Sequence, residues 1–346
     1  MTKFAFLIHA RDADDIKSNY PRLKKVPNFI LEIFIVFLKP RKLADISGLK
    51  NREGEEVRGC LIGVFLTARE MLILPRFFVK RRIGQAVKLA EELGVEVVGL
   101  GAFTSSLTNG GADLLGKYSP GITNGNAFTA EISFAGIRAA ARAKDINIDE
   151  ATVAIVGATG STGQAIAKRM ACENSSRLIL AGRTPANLEL LKNEIKNIKP
   201  GIGLITTVDI RRIREADIVV VATASRKALI KPEYLKRGAV VYDISQPGNV
   251  SPSVREERGD VLILDGGLAK KPRGVNIGLD LGLPPGTLFA CLSETMILAM
   301  EGRKGNFSVG KPDLGQILLI SKLAEKHGFG TALLKSRGGL LENVVK

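Results

Sequence analysis

Two separated features of the sequence could together carry out redox chemistry on an acyl group. The first is a glycine-rich loop, Gly157-Ala-Thr-Gly160-Ser-Thr-Gly163, which follows an apolar run at residues 151–156. The second is Cys291, in a segment typical of the first turns of a helix, Leu288-Phe-Ala-Cys291-Leu-Ser-Glu-Thr. The loop predicts a redox dinucleotide, and a cysteine thiol can accept an acyl group as a thioester.

The glycine-rich loop has the order that a dinucleotide site requires, with a strand before it and a helix after it. Its first glycine permits a tight turn, its second lets a pyrophosphate approach the backbone, and its third lets helix pack on strand. The spacing G-x-x-G-x-x-G is a variant of the usual G-x-G-x-x-G, so its position carries the prediction. The predicted cofactor contacts are Gly157, Thr159, Gly160, Ser161, Thr162 and Gly163.

Cofactor selectivity is predicted from the end of the next strand, where the sequence reads Gly182-Arg183-Thr184. An acidic residue there would bind the ribose hydroxyls of NAD, whereas a cation and a hydroxyl suit the 2′-phosphate of NADP. NADPH is therefore the predicted cofactor; the alternative is that Arg183 only caps the strand. The turn after the fourth strand should line the ribose and nicotinamide, through Thr223, Ala224 and Ser225.

Cys291 is the predicted nucleophile, because the positive potential of a helix N-terminus favours a thiolate. The alternative is a small buried residue, since its neighbours Phe289 and Leu292 are apolar. Cys60 and Cys172 lie in segments without catalytic context. No Tyr-x-x-x-Lys pair follows the loop, which excludes a short-chain dehydrogenase mechanism. Three dispersed cysteines and two histidines make a zinc site or a histidine-dependent triad improbable.

The remaining pattern predicts an α/β protein with three regions. Short Val/Ile/Leu runs alternate with helical patterns, which is typical of a parallel sheet covered on both faces. We predict an N-terminal α/β substrate or partner domain at residues 1–125 and a Rossmann-type NADP-binding domain at 126–285, entered through a helix at 128–144. A C-terminal helical segment at 286–346 would carry Cys291. The apolar stretch Phe29–Leu38 is about half the length of a membrane span, which favours a buried strand over a membrane-associated segment.

The composition and the N-terminal sequence indicate which binding partners and which cellular compartment to expect. The net charge is +15, and the densest basic cluster contains Arg76, Lys80, Arg81 and Arg82. This cluster is either a solvated helix face or a dock for an acidic carrier protein, a coenzyme A phosphate or nucleic acid. Nucleic acid ranks last, because no nucleic-acid-binding motif accompanies the cluster. The N-terminus lacks a signal-peptide pattern, so we expect a cytoplasmic protein without an integral membrane segment.

Several segments resemble the long-chain acyl-[acyl-carrier-protein] reductases of cyanobacteria, in the order of that family. They are Leu100-Gly-Ala-Phe-Thr104-Ser105, Thr123-Asn-Gly125-Asn126-Ala-Phe-Thr129-Ala, the glycine-rich loop, Asp265-Gly-Gly267, Leu288-Phe-Ala-Cys291-Leu-Ser-Glu294-Thr-Met and Lys326-His327-Gly-Phe329. The resemblance implies that Cys291 carries the acyl thioester, that the loop binds NADPH, that the basic cluster meets an acidic carrier, and that the product is a fatty aldehyde.

The chain departs from that family in three places. Residues 10–85 match only loosely, Phe128 replaces a family histidine, and the tail at 331–346 continues beyond the family pattern. The acyl donor is therefore open between acyl carrier protein and acyl-CoA. Two other functions remain as alternatives: an NADP-dependent dehydrogenase of a small hydroxy or amino acid, similar to shikimate dehydrogenase, and a non-enzymatic cofactor sensor in which Cys291 is structural. The first would need a Lys/Asp pair in the N-terminal domain, which the spacing does not identify.

Overall fold

The computed structural model describes residues 2–173, 177–225, 228–246, 248–332, 335–336 and 339–340. These residues form two compact units. The first comprises residues 1–125, 271–310 and 320–329, and the second comprises residues 126–270, 311–319 and 330–346. The predicted C-terminal segment is thus divided between the units. The helix that carries Cys291 belongs to the first unit, because nearly all of its residues are buried there.

The first unit begins with alternating strands and helices that build one sheet. Its elements up to residue 125 are β1 (Thr2–Ala10), α1 (Ala13–Asn19), α2 (Asn28–Phe37), β2 (Arg41–Lys50), β3 (Glu56–Thr67), α3 (Ala68–Ile73), α4 (Arg76–Glu92), β4 (Val97–Leu100), α5 (Phe103–Ser106) and β5 (Gly121–Thr123). The strand order is β2-β3-β1-β4-β5, and every pairing is parallel except β2 with β3. The glycine-rich stretch at residues 108–125, whose composition is typical of a loop, contains the strand β5.

The segment predicted as a buried strand, Phe29–Leu38, is the helix α2. Leu31 and Ile35 are four residues apart, so they lie on one helical face, where both are buried beside Ala13. An apolar run broken only by Glu32 has no strand alternation, and its short length left helix and strand equally compatible with the pattern. Packing of this segment against α1 stabilises the helical conformation.

The second unit contains a six-stranded parallel sheet, which confirms the predicted Rossmann-type α/β fold. Its elements are α6 (Asn126–Ala143), β6 (Thr152–Val156), α7 (Ser161–Cys172), β7 (Arg177–Ala181), α8 (Pro185–Ile198), β8 (Gly203–Thr207), β9 (Ile218–Val221), β10 (Val240–Asp243), α9 (Pro252–Glu257), β11 (Leu262–Asp265) and β12 (Leu268–Lys270). The sheet order is β11-β10-β9-β6-β7-β8. Counted from β6 as the first strand, this is the 3-2-1-4-5-6 order of dinucleotide-binding folds.

The rest of the chain contributes elements to both units. They are β13 (Thr287–Phe289), α10 (Ala290–Met300), α11 (Leu314–Lys326), β14 (Gly330–Thr331), β15 (Lys335–Ser336) and β16 (Gly339–Leu340). Helix α10 begins two residues later than predicted, because residues 287–289 are extended. Much of the predicted tail at 331–346 lies outside the described residues. Within the described ranges no helix is both long enough and apolar enough to cross a membrane.

Helix α10 packs closely on the sheet of the first unit because β4 contains a glycine. A Cβ on Gly99 would lie 2.0 Å from Thr295 Oγ1 and 2.6 Å from Phe6 Cδ2. On the opposite face, α4 covers Leu7 and Ile62. The sheet is therefore enclosed by a helix on each side, and the absence of a side chain at position 99 sets how near α10 can come.

We expect Gly99→Ala to destabilise the first unit. The added methyl has no space between β4 and α10, so the free energy of unfolding should fall by about 1–3 kcal/mol. Gly259→Ala is the control, because a Cβ there meets no atom within 4 Å. Chemical denaturation of both variants checks this, and equal stability of the two would contradict it.

Candidate functional site

The glycine-rich loop follows β6, and two of its glycines are required by close backbone contacts. Gly157 has φ +82°, and a Cβ there would lie 2.2 Å from the carbonyl oxygen of Ala222. A Cβ on Gly163 would lie 2.3 Å from the carbonyl oxygen of Gly157. The turn after β6 and the seating of α7 therefore both depend on glycine, as a dinucleotide loop requires.

Helix α7 directs its N-terminus toward the carboxyl end of the sheet. Gly160 is its N-cap residue and provides no side chain to cap the first amides. Amides at a helix start lack intrahelical acceptors and carry a partial positive charge, which suits a pyrophosphate. The loops after β6 and β9 flank the point where the strand order reverses, the usual position of a dinucleotide. The residues present therefore fit a nicotinamide dinucleotide.

Asn126, which the sequence analysis did not assign, holds the first turn of α7. Its Nδ2 donates a hydrogen bond to Ser161 Oγ at 2.8 Å, and its Oδ1 accepts one from Thr162 Oγ1 at 2.8 Å. Asn126 is buried as the first residue of α6. Two predicted cofactor contacts, Ser161 and Thr162, thus also connect the loop to α6. The signal in the sequence was the Asn-Gly-Asn run at 124–126.

The predicted selectivity residues lie at the carboxyl end of the sheet. Arg183 and Thr184 are exposed between β7 and α8, and Thr184 is the N-cap residue of α8. Among the described residues Arg183 has no ion-pair partner, so its guanidinium can meet an incoming anion. Thr159 lies beside Gly182, since a Cβ there would come within 3.3 Å of the threonine side chain.

The turn after β9 is the third predicted part of the cofactor site. The amide of Thr223 donates a hydrogen bond to Ser245 Oγ at 3.2 Å. Thr223 and Ser225 are half-buried, and Ala224 is exposed. The carbonyl of the preceding Ala222 lies against Gly157. The structure thus brings this turn to the glycine-rich loop within the second unit.

Cys291 is the second residue of α10 and lies against Gly125 in the first unit. Gly125 has φ +74°, and a Cβ there would lie 2.2 Å from both the Cα and the Cβ of Cys291. Because Gly125 follows β5, the cysteine is located near the carboxyl end of the parallel strands. Cys291 is half-buried, whereas Cys60 is completely buried and Cys172 is exposed at the end of α7.

Burial raises the pKa of the Cys291 thiol, which opposes the prediction that its position favours a thiolate. Loss of water around the sulfur raises the pKa of Cys291 to about 12, and the hydrogen bond from the amide of Leu292 opposes this increase. The nearby Glu294 raises the pKa further. Desolvation disfavours the charged form more strongly than the first-turn amides stabilise it.

Glu294 lies one helical turn after Cys291 and is completely buried in a polar cluster. Its Oε1 accepts a hydrogen bond from the hydroxyl of Thr123, and the hydroxyl of Ser308 lies 2.6 Å from the same oxygen. Asn124 extends the cluster, because its Oδ1 is 2.9 Å from Ser308 Oγ and its Nδ2 donates to the carbonyl of Gly310 at 3.0 Å. The cluster joins the end of β5, α10 and the 308–310 segment.

This cluster was missed by sequence reasoning. The available signal was that Glu294, three residues after Cys291, is the one charged residue in the sequence of the Ala290–Met300 helix. A buried carboxylate needs hydrogen-bond donors, and hydroxyl and amide groups provide them here. Glu294 therefore fixes the rotation of α10, and with it the direction of Cys291.

Neither histidine is placed as a partner of the thiol. His9 accepts a hydrogen bond at Nε2 from the amide of Phe103 at 3.3 Å, its Nδ1 lies 2.9 Å from the carbonyl of Ala10, and burial lowers its pKa. His327 contacts the carboxylate of Glu301. Each ring thus has contacts of its own with residues other than Cys291.

The predicted basic cluster is only partly a surface feature. Arg82 is buried and donates to the carbonyl oxygens of Val36 at 2.9 Å and of Leu38. Lys80 forms an ion pair with Asp113 at 2.5 Å. The inclusion of Arg82 in the docking cluster is therefore wrong, because its charge compensates the carbonyls that end α2.

A cleft of about 600 Å³ in the first unit is lined by Lys80 and Arg81 of this cluster, whereas Arg76 is not one of its lining residues. The basic residues that line it are Lys39, Lys80, Arg81, Lys88 and Lys117, with Asp113 and Glu92 as the acidic ones. Five positive charges against two negative ones make the cleft attractive to an anion.

Comparisons with known proteins match both units. The family Shikimate / quinate 5-dehydrogenase matches residues 138–265. Aminotransferase PigE of Serratia sp. is 32% identical over 300 residues, which are 85% of this chain and 35% of that protein. The long-chain acyl-[acyl-carrier-protein] reductase of Synechococcus elongatus is 29% identical over 308 residues, 84% of this chain and 87% of that protein. Glutamyl-tRNA reductase of Haloquadratum walsbyi is 27% identical over 194 residues, 55% of this chain and 40% of that protein.

The chain spans about a third of PigE, 35%, and most of the length of the Synechococcus reductase, 87%. The family match lies inside the second unit, so it bears on nucleotide binding alone. Together these similarities support an oxidoreductase that uses a nicotinamide cofactor. The resemblance to acyl-[acyl-carrier-protein] reductases is supported as a distant relationship.

We expect Gly125→Ala to displace Cys291, because the new Cβ would overlap the cysteine backbone. Gly116→Ala is the matched control, with φ +72° and no atom within 4 Å of its Cβ. Both substitutions share the cost of a positive φ, about 1 kcal/mol, and the overlap should add about 1–3 kcal/mol for Gly125→Ala alone. Denaturation and the alkylation rate of Cys291 measure this. An unchanged alkylation rate and a loss of stability equal to the control would contradict it.

We expect the alkylation rate of Cys291 to keep rising with pH beyond the range of an ordinary thiol. Only the thiolate reacts, and a pKa of about 12 leaves Cys291 protonated at neutral pH. The rate should increase about tenfold per unit up to roughly pH 10, whereas a free thiol of pKa ~8.5 levels off before that. Iodoacetamide labelling resolved by peptide mass analysis checks this, with a cysteine peptide as control. A plateau near pH 8.5 would show an unperturbed thiol.

Proposed function

We propose that this chain reduces a fatty acyl thioester to an aldehyde with NADPH, through an acyl-cysteine at Cys291. The observation that carries the proposal is the position of Cys291. It is half-buried in the first turn of α10, near the carboxyl end of the first unit's parallel strands. Because Gly125 has no side chain, Cys291 can pack directly against its backbone. The 29% identity with the Synechococcus reductase over 84% of this chain supports the same chemistry.

In the first step the sulfur of Cys291 attacks the thioester carbonyl carbon. A new C–S bond forms, the donor's C–S bond breaks, and the cysteine proton passes to the departing thiol. Because the thiolate is the nucleophile, the proton must leave the sulfur as the new C–S bond forms; it ends on the departing thiol, so the exchange has no net change of charge. The amides of Cys291 and Leu292, which act on the sulfur, are first-turn amides without intrahelical acceptors, and we assign them to the transient oxyanion.

In the second step the acyl-cysteine is reduced. A nicotinamide cofactor held by the glycine-rich loop would supply the hydride that the acyl carbon needs, and a proton from solvent would complete the thiohemiacetal on Cys291. Collapse breaks the C–S bond, releases the aldehyde and transfers the hydroxyl proton to sulfur. The high pKa of the Cys291 thiol favours this return to a neutral thiol. Glu294 positions the sulfur throughout through its hydrogen bonds with Thr123 and Ser308.

The acyl donor of the proposal is an acyl carrier protein or acyl-CoA. Both carry phosphate and further negative charge, and the cleft with Lys39, Lys80, Arg81, Lys88 and Lys117 supplies cations that would attract either. The positive charge of the cleft is consistent with an anionic acyl donor, but it does not distinguish acyl carrier protein from acyl-CoA. A cytoplasmic location is part of the same proposal, because both donors are cytoplasmic.

A second candidate is an NADP-dependent dehydrogenase of a small hydroxy or amino acid. The match of residues 138–265 to the Shikimate / quinate 5-dehydrogenase family favours it. That match covers the nucleotide-binding unit, which both candidates share. They differ in their dependence on Cys291, since only thioester reduction needs a nucleophilic thiol.

We expect an acyl donor without NADPH to acylate Cys291. Acyl-CoA and acyl carrier protein bearing medium and long chains should each be offered, and hydroxylamine should remove the adduct. Cys291→Ser should lose adduct and aldehyde together, with a loss of at least about 10³ in rate if the thiol is the nucleophile. Cys172→Ser is the control, because Cys172 is exposed at the end of α7. Adducts on Cys60 or Cys172, or full aldehyde formation by Cys291→Ser, would end the proposal.

We expect the unmutated chain to bind NADPH more tightly than NADH, because Arg183 can pair with the 2′-phosphate. Arg183→Ala should weaken NADPH binding by about one to two decades, the effect of losing one charged hydrogen bond of about 1.5–3 kcal/mol. NADH binding should change little. Arg255→Ala is the control, an exposed arginine on α9. Fluorescence titration with both cofactors measures this, and equal affinity of the unmutated chain for both would refute the preference.

A further inference from the structure

Helix α2 presents a large apolar face to solvent. Four of its side chains are mostly exposed: Phe29 at 65%, Ile33 at 58%, Phe34 at 66% and Phe37 at 78%. We call these four residues the α2 surface. Single exposed apolar residues are common, but a concentration of this kind on one short helix marks an interaction site.

The exposure of the α2 surface is imposed by packing on the other side of the helix. Leu31 and Ile35 are buried with Ala13, so the opposite face points outward. The last turn is held by Arg82, whose guanidinium donates to the carbonyl oxygens of Val36 at 2.9 Å and of Leu38. The helix therefore presents its aromatic side chains on a fixed support.

Neighbouring elements add further exposed apolar groups. Ile73 ends α3 with 55% exposure, and Phe77 near the start of α4 is 75% exposed. Helix α3 is joined to α2 by the ion pair of Arg69 with Glu32 at 3.4 Å, and α4 is joined to it by Arg82. The apolar groups thus protrude from adjoining helices.

Cations flank the α2 surface on both sides. Lys24 and Lys25 precede the helix, Lys39 and Arg41 follow it, and all four are exposed. The one acidic residue within the helix is Glu32, which is paired with Arg69. Protruding aromatic side chains between lysines are the pattern of a helix that lies in a membrane interface, where rings enter the acyl boundary and cations meet lipid phosphates.

We infer that the α2 surface docks this protein on an anionic lipid bilayer as a peripheral protein. The rings of Phe29, Phe34 and Phe37 enter the interface, and the flanking lysines contact anionic headgroups. A second copy of this chain is a poor occupant, because its own Lys24, Lys25 and Lys39 would meet like charges. The inference requires no catalytic activity, so it stands apart from the proposed function.

The test is binding of the full chain to sedimented vesicles, without substrate or cofactor. Vesicles of phosphatidylcholine alone are compared with vesicles that also contain phosphatidylglycerol, in about a three-to-one ratio. The variants are Phe34→Ser/Phe37→Ser and Lys24→Glu/Lys25→Glu. Leu190→Ser is the matched control, an apolar residue of α8 that is 62% exposed. Thermal unfolding checks that each variant is folded.

The unmutated chain should bind the anionic vesicles, and Leu190→Ser should bind equally well. Phe34→Ser/Phe37→Ser should reduce the partition coefficient by at least about tenfold on both kinds of vesicle. Lys24→Glu/Lys25→Glu should reduce it by about tenfold or more on anionic vesicles only, with a smaller effect in high salt. Absence of vesicle binding, or unchanged binding by the phenylalanine variant, would overturn the inference. So would a phenylalanine variant that changes only the oligomeric state or only the binding of a carrier protein.

Discussion

Close backbone contact at the carboxyl ends of parallel strands is the constraint on which both halves of the proposed chemistry depend. In the second unit the carbonyl of Ala222 occupies the space that a side chain on Gly157 would need. In the first unit Cys291 occupies the corresponding space beside Gly125. Both glycines have positive φ, so each contributes a turn and a clearance that no other residue provides. A glycine with positive φ therefore determines the position both of the amides proposed to bind phosphate and of the proposed nucleophile.

Desolvation affects the pKa of the Cys291 thiol more strongly than the helix N-terminus does. The first-turn amides of α10 stabilise negative charge on sulfur, yet burial and Glu294 together raise the pKa of Cys291 to about 12. Since the thiolate is the nucleophile, the proposed attack requires the Cys291 thiol to lose its proton as the C–S bond forms, and the thiol is restored when the aldehyde leaves. During the attack, negative charge develops on the carbonyl oxygen of the donor, and the first-turn amides must stabilise it there. Glu294 contributes by holding the helix, through hydrogen bonds with Thr123 and Ser308.

The excess of basic residues is used in different ways in different parts of the first unit. Arg82 is buried, and its guanidinium donates hydrogen bonds to the carbonyl oxygens at the end of α2. Lys80 is paired with Asp113 but still lines a cleft that has more cations than anions. Lys24, Lys25, Lys39 and Arg41 surround an exposed aromatic face. Net charge alone indicates only an attraction to anions, and the positions of the charges distinguish a phosphate-bearing donor from a lipid surface.

The sequence by itself determined the α/β fold, the Rossmann-type unit, its glycine-rich loop and the start of the helix at Cys291. These follow from local rules, since strand periodicity, glycine spacing and the strand–loop–helix order are all recorded in neighbouring residues. Tertiary structure decided whether Phe29–Leu38 is helix or strand, the roles of Arg82, Asn126 and Glu294, and the protonation of Cys291. Each of these depends on what packs against the residue from distant parts of the chain. Burial and hydrogen-bond partners across long sequence separations set them, and no local pattern records such contacts.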